Sequence, residues 1–135
     1  MADAVAVETM PLRTSHDVVR ARQRVRDIAV SMGFSLVEQT KLVTAASELV
    51  RNTIDYGRGG DMTLERIDAP GAPGIRLVFT DQGPGIADIE QALRDGFTTG
   101  NGLGLGLNGA RKLSHEFDIK SKPGEGTRVT ITRWK

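Results

Sequence analysis

The spacing of apolar positions divides the first third of the chain into one strand and the start of two helices. Residues 1–10 alternate in character, which predicts an edge strand that ends at Pro11. A first amphipathic helix is predicted from an N-cap at Ser15 to a stop at Gly33. Its apolar positions recur at helical spacing and are Val18, Val19, Ala21, Val25, Ile28 and Ala29.

A second helix is predicted from Ser35 to Gly57. The Ser35 hydroxyl can cap it, and Glu38 at the third helical position completes a capping box. The turn at 57–60, Gly-Arg-Gly-Gly, ends this helix. Its apolar positions are Val37, Leu42, Val43, Ala45, Ala46, Leu49, Val50 and Ile54.

The second half of the chain reads as two hairpins separated by a helix. Strand-like stretches at 62–67 and 74–80 flank an exposed turn, and a second pair at 117–121 and 128–133 flanks the turn at 123–126. Between the hairpins, residues 105–113 are expected to be helical. Without repeats or a linker, residues 1–135 are expected to form a single α+β domain with helices packed on a sheet.

The composition of the chain mainly excludes certain kinds of core, partner and location. Aromatic residues are 4% of the chain, so the core must consist mostly of Val, Ile, Leu and Ala. The net charge of +1 and the lack of a basic cluster argue against nucleic acid. Cysteine is absent, no apolar run approaches the ~20 residues that span a bilayer, and the first residues do not resemble a secretion signal. A cytoplasmic protein without a membrane partner is expected.

Glu48 and Asn52 are the first candidates for chemistry. They lie four residues apart on the second predicted helix and therefore project from one face. A carboxylate and an amide oxygen so placed can divide two tasks, because one can accept a proton and the other can hold Mg²⁺. A solvated polar face is the alternative, although apolar neighbours surround the pair.

Asp81 follows an apolar strand and begins the segment Asp-Gln-Gly-Pro-Gly-Ile. A carboxylate there can accept a hydrogen bond from the exocyclic amine of adenine, whereas guanine would present a carbonyl oxygen. Gly83 and Gly85 would allow close backbone approach or positive φ angles. An ordinary glycine-rich turn is the alternative.

A second glycine-rich run covers residues 100–109 and contains five glycines. Each glycine inside a helix costs about 0.8–1 kcal/mol relative to alanine, so this run is better suited to precede a helix. Free N–H groups there can meet phosphate oxygens. A flexible loop is the alternative, and a dinucleotide-binding motif lacks the strand that must precede it.

Three further polar residues could carry chemistry. Thr127 begins the last strand and would place its hydroxyl beside Asp81 if the two strands are neighbours; by itself it suits a turn. His16 and His115 are expected to be structural or exposed, because nothing around them resembles a phosphoacceptor domain.

Taken together, four segments resemble the GHKL superfamily, which includes gyrase, Hsp90 and histidine kinases and shares the Bergerat fold. They are Glu-Leu-Val-Arg-Asn at 48–52, the 81–86 segment, the glycine run at 102–106 and Gly-Glu-Gly-Thr at 124–127. Over essentially the whole chain, the resemblance is greatest to the switch serine/threonine kinases of the stressosome. It implies a two-layer α+β sandwich with a mixed, mostly antiparallel sheet and helices on one face.

The resemblance also implies a role for each matching residue. Glu48 would be the general base and Asn52 the Mg²⁺ ligand. Asp81 would bind the adenine amine with Thr127 beside it. Residues of the 81–86 segment would shape the base pocket, and residues 88–101 would form a short ATP lid. The remaining ATP-binding positions that it implies are Gly83, Gly85, Ile86, Gly102, Leu103, Gly104, Leu105 and Gly106.

The function implied is ATP-dependent phosphorylation of a serine or threonine on STAS-domain proteins, namely the stressosome scaffold and antagonist, with release of the kinase to activate a phosphatase. A module of this length by itself is expected to act on a partner. Two alternatives stay open: a nucleotide-dependent module that binds a sigma factor or a phosphatase, and an ATPase with water as the acceptor.

Overall fold

The structure is a computed structural model that describes residues 4–68, 71, 73–93 and 106–135. These residues contain five strands and four α-helices, and one π-helical turn follows the second helix. The strands are β1 (Ala4–Leu12), β2 (Gly60–Ile67), β3 (Gly74–Asp81), β4 (Glu116–Ser121) and β5 (Thr127–Trp134). The helices are α1 (Ser15–Ser31), α2 (Leu36–Arg51), α3 (Ile89–Ala92) and α4 (Gly106–Lys112), and the π turn is Asn52–Tyr56.

The strands form one sheet in the order β1-β2-β3-β5-β4. All four pairings in the described part of the chain are antiparallel. Both predicted hairpins are confirmed, as is the edge position of the first strand. β1 continues past Pro11 to Leu12, because a proline is tolerated on an edge strand where its missing N–H faces away from the sheet.

A single apolar core lies between the sheet and the helices. Alternate residues of β1, β2, β3 and β5 point towards α1 and α2, so one face of the sheet is covered. The other face carries charged and hydroxyl side chains in the described residues of β2, β3, β4 and β5. The predicted two-layer α+β sandwich is thus confirmed. The sheet residues in the core are Met10, Leu12, Met62, Leu64, Ile75, Leu77, Phe79, Val129 and Ile131.

The helix starts differ from prediction in two details. The N-cap of α1 is Thr14 rather than Ser15, since the Asp17 carboxylate accepts the backbone N–H groups of Arg13 and Thr14 at 2.9 and 3.2 Å. Ser35 caps α2 as predicted, by accepting the N–H of Glu38 at 3.2 Å. Glu38 does not complete the capping box; its carboxylate binds Arg133 instead.

The second helix does reach Gly57, but its last turn is widened. The Thr53 hydroxyl donates to the carbonyl oxygen of Leu49 at 2.8 Å, and the N–H of Gly57 bonds the carbonyl oxygen of Asn52 five residues back at 2.9 Å. Such back-bonding by a threonine competes with the regular helical register. The result is a π turn, a feature that often occurs at functional sites.

Arg133 ties three elements together at the far end of the sheet from Asp81. Its guanidinium binds both carboxylate oxygens of Glu38 at 2.8 and 3.0 Å and the carbonyl oxygen of Leu113 at 2.7 Å. The side chain is only 8% exposed. Removing the guanidinium leaves the partly buried Glu38 carboxylate and the carbonyl oxygen of Leu113 without this partner.

We therefore expect Arg133→Met to lower the free energy of unfolding by about 2–4 kcal/mol. Urea denaturation monitored by circular dichroism measures this. Arg128→Met is the matched control, because Arg128 lies on the same strand but is exposed, and its loss should cost less than about 0.5 kcal/mol. Equal losses in the two variants would contradict the structural role given to Arg133.

None of the helices in the described residues is long and apolar enough to cross a membrane.

Candidate nucleotide-binding site

A pocket opens between the end of the sheet that carries Asp81 and the last turns of the second helix. Its walls are mostly apolar, with a few polar groups at defined places, which is the usual make-up of a small-molecule site. It is lined by Leu49, Asn52, Thr53, Tyr56, Phe79, Asp81, Ile86, Ala92, Gly106, Leu107, Thr127 and Val129.

Asp81 is the last residue of β3 and lies between two neighbouring strands. It pairs with Gly60 on β2 and with Thr127 on β5. Its carboxylate accepts the backbone N–H of Gly83 at 2.9 Å. Gly57 packs directly against the carboxyl group, since a Cβ at that position would stand 2.4 Å from the carboxyl carbon. Only glycine fits there, so the π turn and β3 approach each other closely.

The electrostatic setting of Asp81 is a balance of burial and hydrogen bonding. Burial raises the pKa of this carboxyl group above its usual range, and the backbone N–H groups of Gly83 and Thr127 oppose that rise by favouring the ionised form. The carboxylate therefore presents acceptor oxygens to the pocket from an environment with little water. Such a group binds a hydrogen-bond donor more strongly than an exposed carboxylate does.

The 82–86 loop is fastened to the turn between β4 and β5. The N–H of Gly124 donates to the carbonyl oxygen of Pro84 at 2.7 Å, and the N–H of Ile86 donates to the Ser121 hydroxyl at 2.8 Å. Gly85 has a φ of 77°, and a Cβ there would stand 2.0 Å from the carbonyl oxygen of Lys122. Glycine at this position is thus required by both the backbone angle and the space.

Thr127 stands beside Asp81, as the sequence predicted for neighbouring strands. Its side chain is buried and lines the pocket. Its hydroxyl lies 2.7 Å from the hydroxyl of Ser121, the residue opposite it on β4. On its sheet wall the pocket thus has two hydrogen-bonding side chains next to each other, those of Asp81 and Thr127.

The opposite wall comes from the second helix and its π turn. Asn52 and Tyr56 line the pocket one turn apart. Glu48 lies one turn before Asn52 on the same helix face and is half-buried, but it is not among the side chains that line the pocket. Within the described residues its carboxylate makes no hydrogen bond or ion pair. It is therefore available to a group that enters beside Asn52.

The oxygen atoms that the pocket wall can supply suit a cation that is held mainly by the phosphate groups of a bound molecule. The described residues contain no group of three or more His, Cys, Asp or Glu side chains that would hold a metal by themselves. Asn52, whose side chain carries an amide oxygen, lines the pocket. Mg²⁺ usually takes one or two protein oxygens and completes its shell with phosphate oxygens and water, so this wall fits it.

The predicted site residues fall into four groups. Five of them line the pocket, and they are Asn52, Asp81, Ile86, Thr127 and Gly106, the first residue of α4. Glu48 lies on the helix face of Asn52 without lining the pocket. Gly83 and Gly85 shape the loop without lining the pocket. Gly102, Leu103, Gly104 and Leu105 lie outside the described residues, as does most of the predicted lid.

Part of the pocket wall was not predicted from the sequence. Tyr56 follows Asn52 by four helical positions, while Phe79 precedes Asp81 by two strand positions and Val129 follows Thr127 by two. These spacings place each on the same face as a predicted site residue, so the signal was present. Of the histidines, His16 is exposed and the Nδ1 of His115 accepts the backbone N–H of Trp134 at 2.8 Å.

Comparison with known families gives a match over most of the chain. Residues 37–135 match the family described as histidine kinase-, DNA gyrase B-, and HSP90-like ATPase. This range contains every residue that lines the pocket.

Among individual proteins, the chain is similar to the serine/threonine-protein kinase RsbT of Bacillus subtilis, with 42% identity over 91% of this chain and 92% of that protein. It is also similar to an anti-sigma F factor of Thermoanaerobacter, with 31% identity over 84% of this chain and 82% of that protein. A crystal structure of the RsbU and RsbW domains of a Mycobacterium tuberculosis protein shares the fold. Its TM-score is 0.63 at 19% identity, covering 96% of this chain and 33% of that chain.

Proposed function

Because the chain belongs to the family of histidine kinase-, DNA gyrase B- and HSP90-like ATPases, we propose that it is an ATP-dependent serine/threonine protein kinase of a partner-switching module. The observation that carries the proposal is the meeting of separated segments at one pocket. Asp81 and Thr127 form its sheet wall, Asn52 forms its helix wall, and Gly106 lies where the glycine run enters α4.

Adenine occupies the sheet end of the pocket in this proposal. The exocyclic amine donates to the Asp81 carboxylate, and Thr127 accepts a hydrogen bond beside it, directly or through water. The ring lies among apolar side chains that include Ile86 and Phe79. The shape of the loop, which Gly83 and Gly85 allow, gives the ring access to Asp81.

The triphosphate extends from there towards the start of α4. The N–H groups of the 102–106 segment, Gly-Leu-Gly-Leu-Gly, contact its oxygens in this proposal. Asn52 supplies its amide oxygen to Mg²⁺, which when bound neutralises phosphate charge. The position of Asn52 supports this arrangement, since it lines the pocket and lies one turn after Glu48 on the same helix.

Glu48 acts as the general base. Its carboxylate accepts the proton of a serine or threonine hydroxyl on the partner, and the hydroxyl oxygen forms a bond to the γ-phosphorus as the bond to the leaving ADP oxygen breaks. Glu48 is half-buried on the helix face that carries Asn52, which supports this role because a protein substrate must reach it from outside.

The partners proposed are STAS-domain proteins, as scaffold and antagonist, and a phosphatase that the released kinase activates. A cytoplasmic location goes with this proposal. The names of two relatives support the general setting: one is a serine/threonine kinase and the other an anti-sigma factor. The second of these also favours an alternative, in which nucleotide-dependent binding of a sigma factor or phosphatase is the main output.

Incubation of the protein with labelled ATP, Mg²⁺ and candidate STAS-domain proteins tests the proposal. We expect label on the STAS protein, and phosphoamino-acid analysis should find it on serine or threonine. Omission of Mg²⁺ should abolish the transfer. Nucleotide-dependent co-purification of a partner that never acquires label would favour the binding module. Phosphate release at the same rate with and without any partner would favour a simple ATPase.

A further inference from the structure

The Ser121 hydroxyl has three hydrogen-bonding neighbours, and two of them belong to residues that line the pocket, Ile86 and Thr127. It lies 2.8 Å from the backbone nitrogen of Ile86, 2.9 Å from the carbonyl oxygen of Gly126 and 2.7 Å from the hydroxyl oxygen of Thr127. The first neighbour can only donate a hydrogen bond and the second can only accept one. The direction of the third bond follows from these two.

A serine hydroxyl has one hydrogen and two acceptor lone pairs. The hydrogen is used by the carbonyl oxygen of Gly126, and one lone pair by the N–H of Ile86. What is left for Thr127 is the second lone pair, so the Thr127 hydroxyl must donate its hydrogen to Ser121. All three bonding positions of Ser121 are then filled.

This direction determines what Thr127 offers to the pocket. Its single hydrogen points to Ser121, so only lone pairs remain for a ligand or a bridging water. Asp81, its partner across the β3–β5 pairing, is also an acceptor when ionised. The sheet wall of the pocket thus presents two adjacent acceptors and no side-chain donor.

We propose that Ser121 is a positioning residue that makes the pocket selective for adenine by holding Thr127 as an acceptor; this rests on the proposed ATP-binding function. Adenine presents an amino group at C6, which is a donor. Hypoxanthine presents a carbonyl oxygen at C6, which two acceptors reject. A Thr127 hydroxyl released from Ser121 can rotate and donate to that oxygen.

The loop itself does not depend on Ser121 alone. The N–H of Gly124 holds the carbonyl oxygen of Pro84 at 2.7 Å, so the 82–86 loop keeps a second attachment to the same turn. Loss of the Ser121 hydroxyl should therefore change base selectivity more than it changes the position of the loop.

The test compares ATP and ITP binding by calorimetry in the full chain and its Ser121→Ala, Ser121→Thr, Thr127→Val and double variants. In Ser121→Ala the ratio of the dissociation constants for ITP and ATP should fall about fivefold, which corresponds to the free energy of one neutral hydrogen bond. Ser121→Thr keeps the hydroxyl and should restore the preference. In the Thr127→Val background, Ser121→Ala should not alter the preference further.

Each other outcome overturns the inference. If Ser121→Ala weakens the binding of ATP and ITP equally, Ser121 has a purely structural role. If Ser121→Ala still narrows the preference for ATP over ITP in the Thr127→Val background, Ser121 does not act through the Thr127 hydroxyl. An unchanged preference, while the wild type binds ATP normally, would refute this inference and leave the proposed function standing. A wild type that binds neither nucleotide would refute both. If Ser121→Ala does not fold, Ser121→Cys is interpreted in the same way.

Discussion

Asp81→Asn should abolish measurable ATP binding while the protein stays folded. The asparagine oxygen can still accept the N–H of Gly83. The amide NH₂ group then faces the adenine amine, so that two hydrogen-bond donors face each other at a buried position. Loss of a charged acceptor and the presence of an unpaired donor together cost about 2–4 kcal/mol, which weakens binding about 30- to 1000-fold. Titration calorimetry with ATP and Mg²⁺ measures the change.

The stability of the same variant provides a second readout. Burial raises the pKa of Asp81 in the folded protein above the unfolded value. A carboxyl of this kind contributes stability below its unfolded pKa, and that contribution is lost as the pH rises through the folded pKa. At neutral pH the ionised group therefore costs folding free energy. A neutral asparagine should leave the midpoint of thermal unfolding unchanged or raise it.

The control for this prediction is Asp118→Asn. Asp118 is exposed on β4, next to the pocket-facing strand but on the helix-free face. Its replacement should leave ATP affinity unchanged. Normal ATP titration in Asp81→Asn would remove the basis for placing adenine at this end of the sheet, and equal losses in both variants would point to a general charge effect.

Glu48→Gln should retain ATP affinity and lose phosphoryl transfer to the partner. Glutamine keeps the shape of the side chain but cannot take up the proton of the attacking hydroxyl. General base catalysis typically contributes 10²- to 10⁴-fold, so the turnover rate should fall by about that factor. Single-turnover transfer of labelled phosphate, measured together with ATP affinity, separates binding from chemistry.

Glu116→Gln is a suitable control, because Glu116 is exposed on β4 at the far end of the sheet from Asp81. It should transfer phosphate at the wild-type rate. Unchanged transfer in Glu48→Gln would mean that another group accepts the proton. A parallel fall in ATP affinity and transfer rate would instead make Glu48 a nucleotide contact. Its absence from the pocket lining argues against that second result.

Much of the fold follows from local pattern. The two hairpins, the edge strand and the long second helix were predictable because alternation and helical spacing are written into short stretches of chain. One of the two details that failed depends on a distant group. Glu38 binds Arg133, a residue 95 positions away, instead of capping its own helix. No local pattern reveals such a competing partner.

The candidate site likewise has some features that the sequence predicts and others that it does not. The residue types at Asp81, Thr127 and Asn52 indicate a nucleotide site from the amino-acid sequence alone, since carboxylate, hydroxyl and amide groups in glycine-rich surroundings are unusual in a core. The π turn that brings Tyr56 to the pocket, and the three bonds of the Ser121 hydroxyl, were not predictable. The Ser121 bonds include one to Ile86, which lies 35 positions away, and the π turn depends on a hydrogen bond from Thr53 to Leu49 that the spacing of apolar residues does not reveal.

By itself, the amino-acid order determined most of the strands and helices and indicated which side chains are candidates for chemistry, because backbone preference and side-chain identity are local properties. Only the tertiary structure decided that Asp81, Thr127 and Asn52 line one pocket, that Gly57 must lack a side chain beside the carboxylate, and that the Thr127 hydroxyl lies beside that of Ser121. The physical reason is that burial and hydrogen-bond direction depend on every neighbour of a group, and most of those neighbours come from elsewhere in the chain.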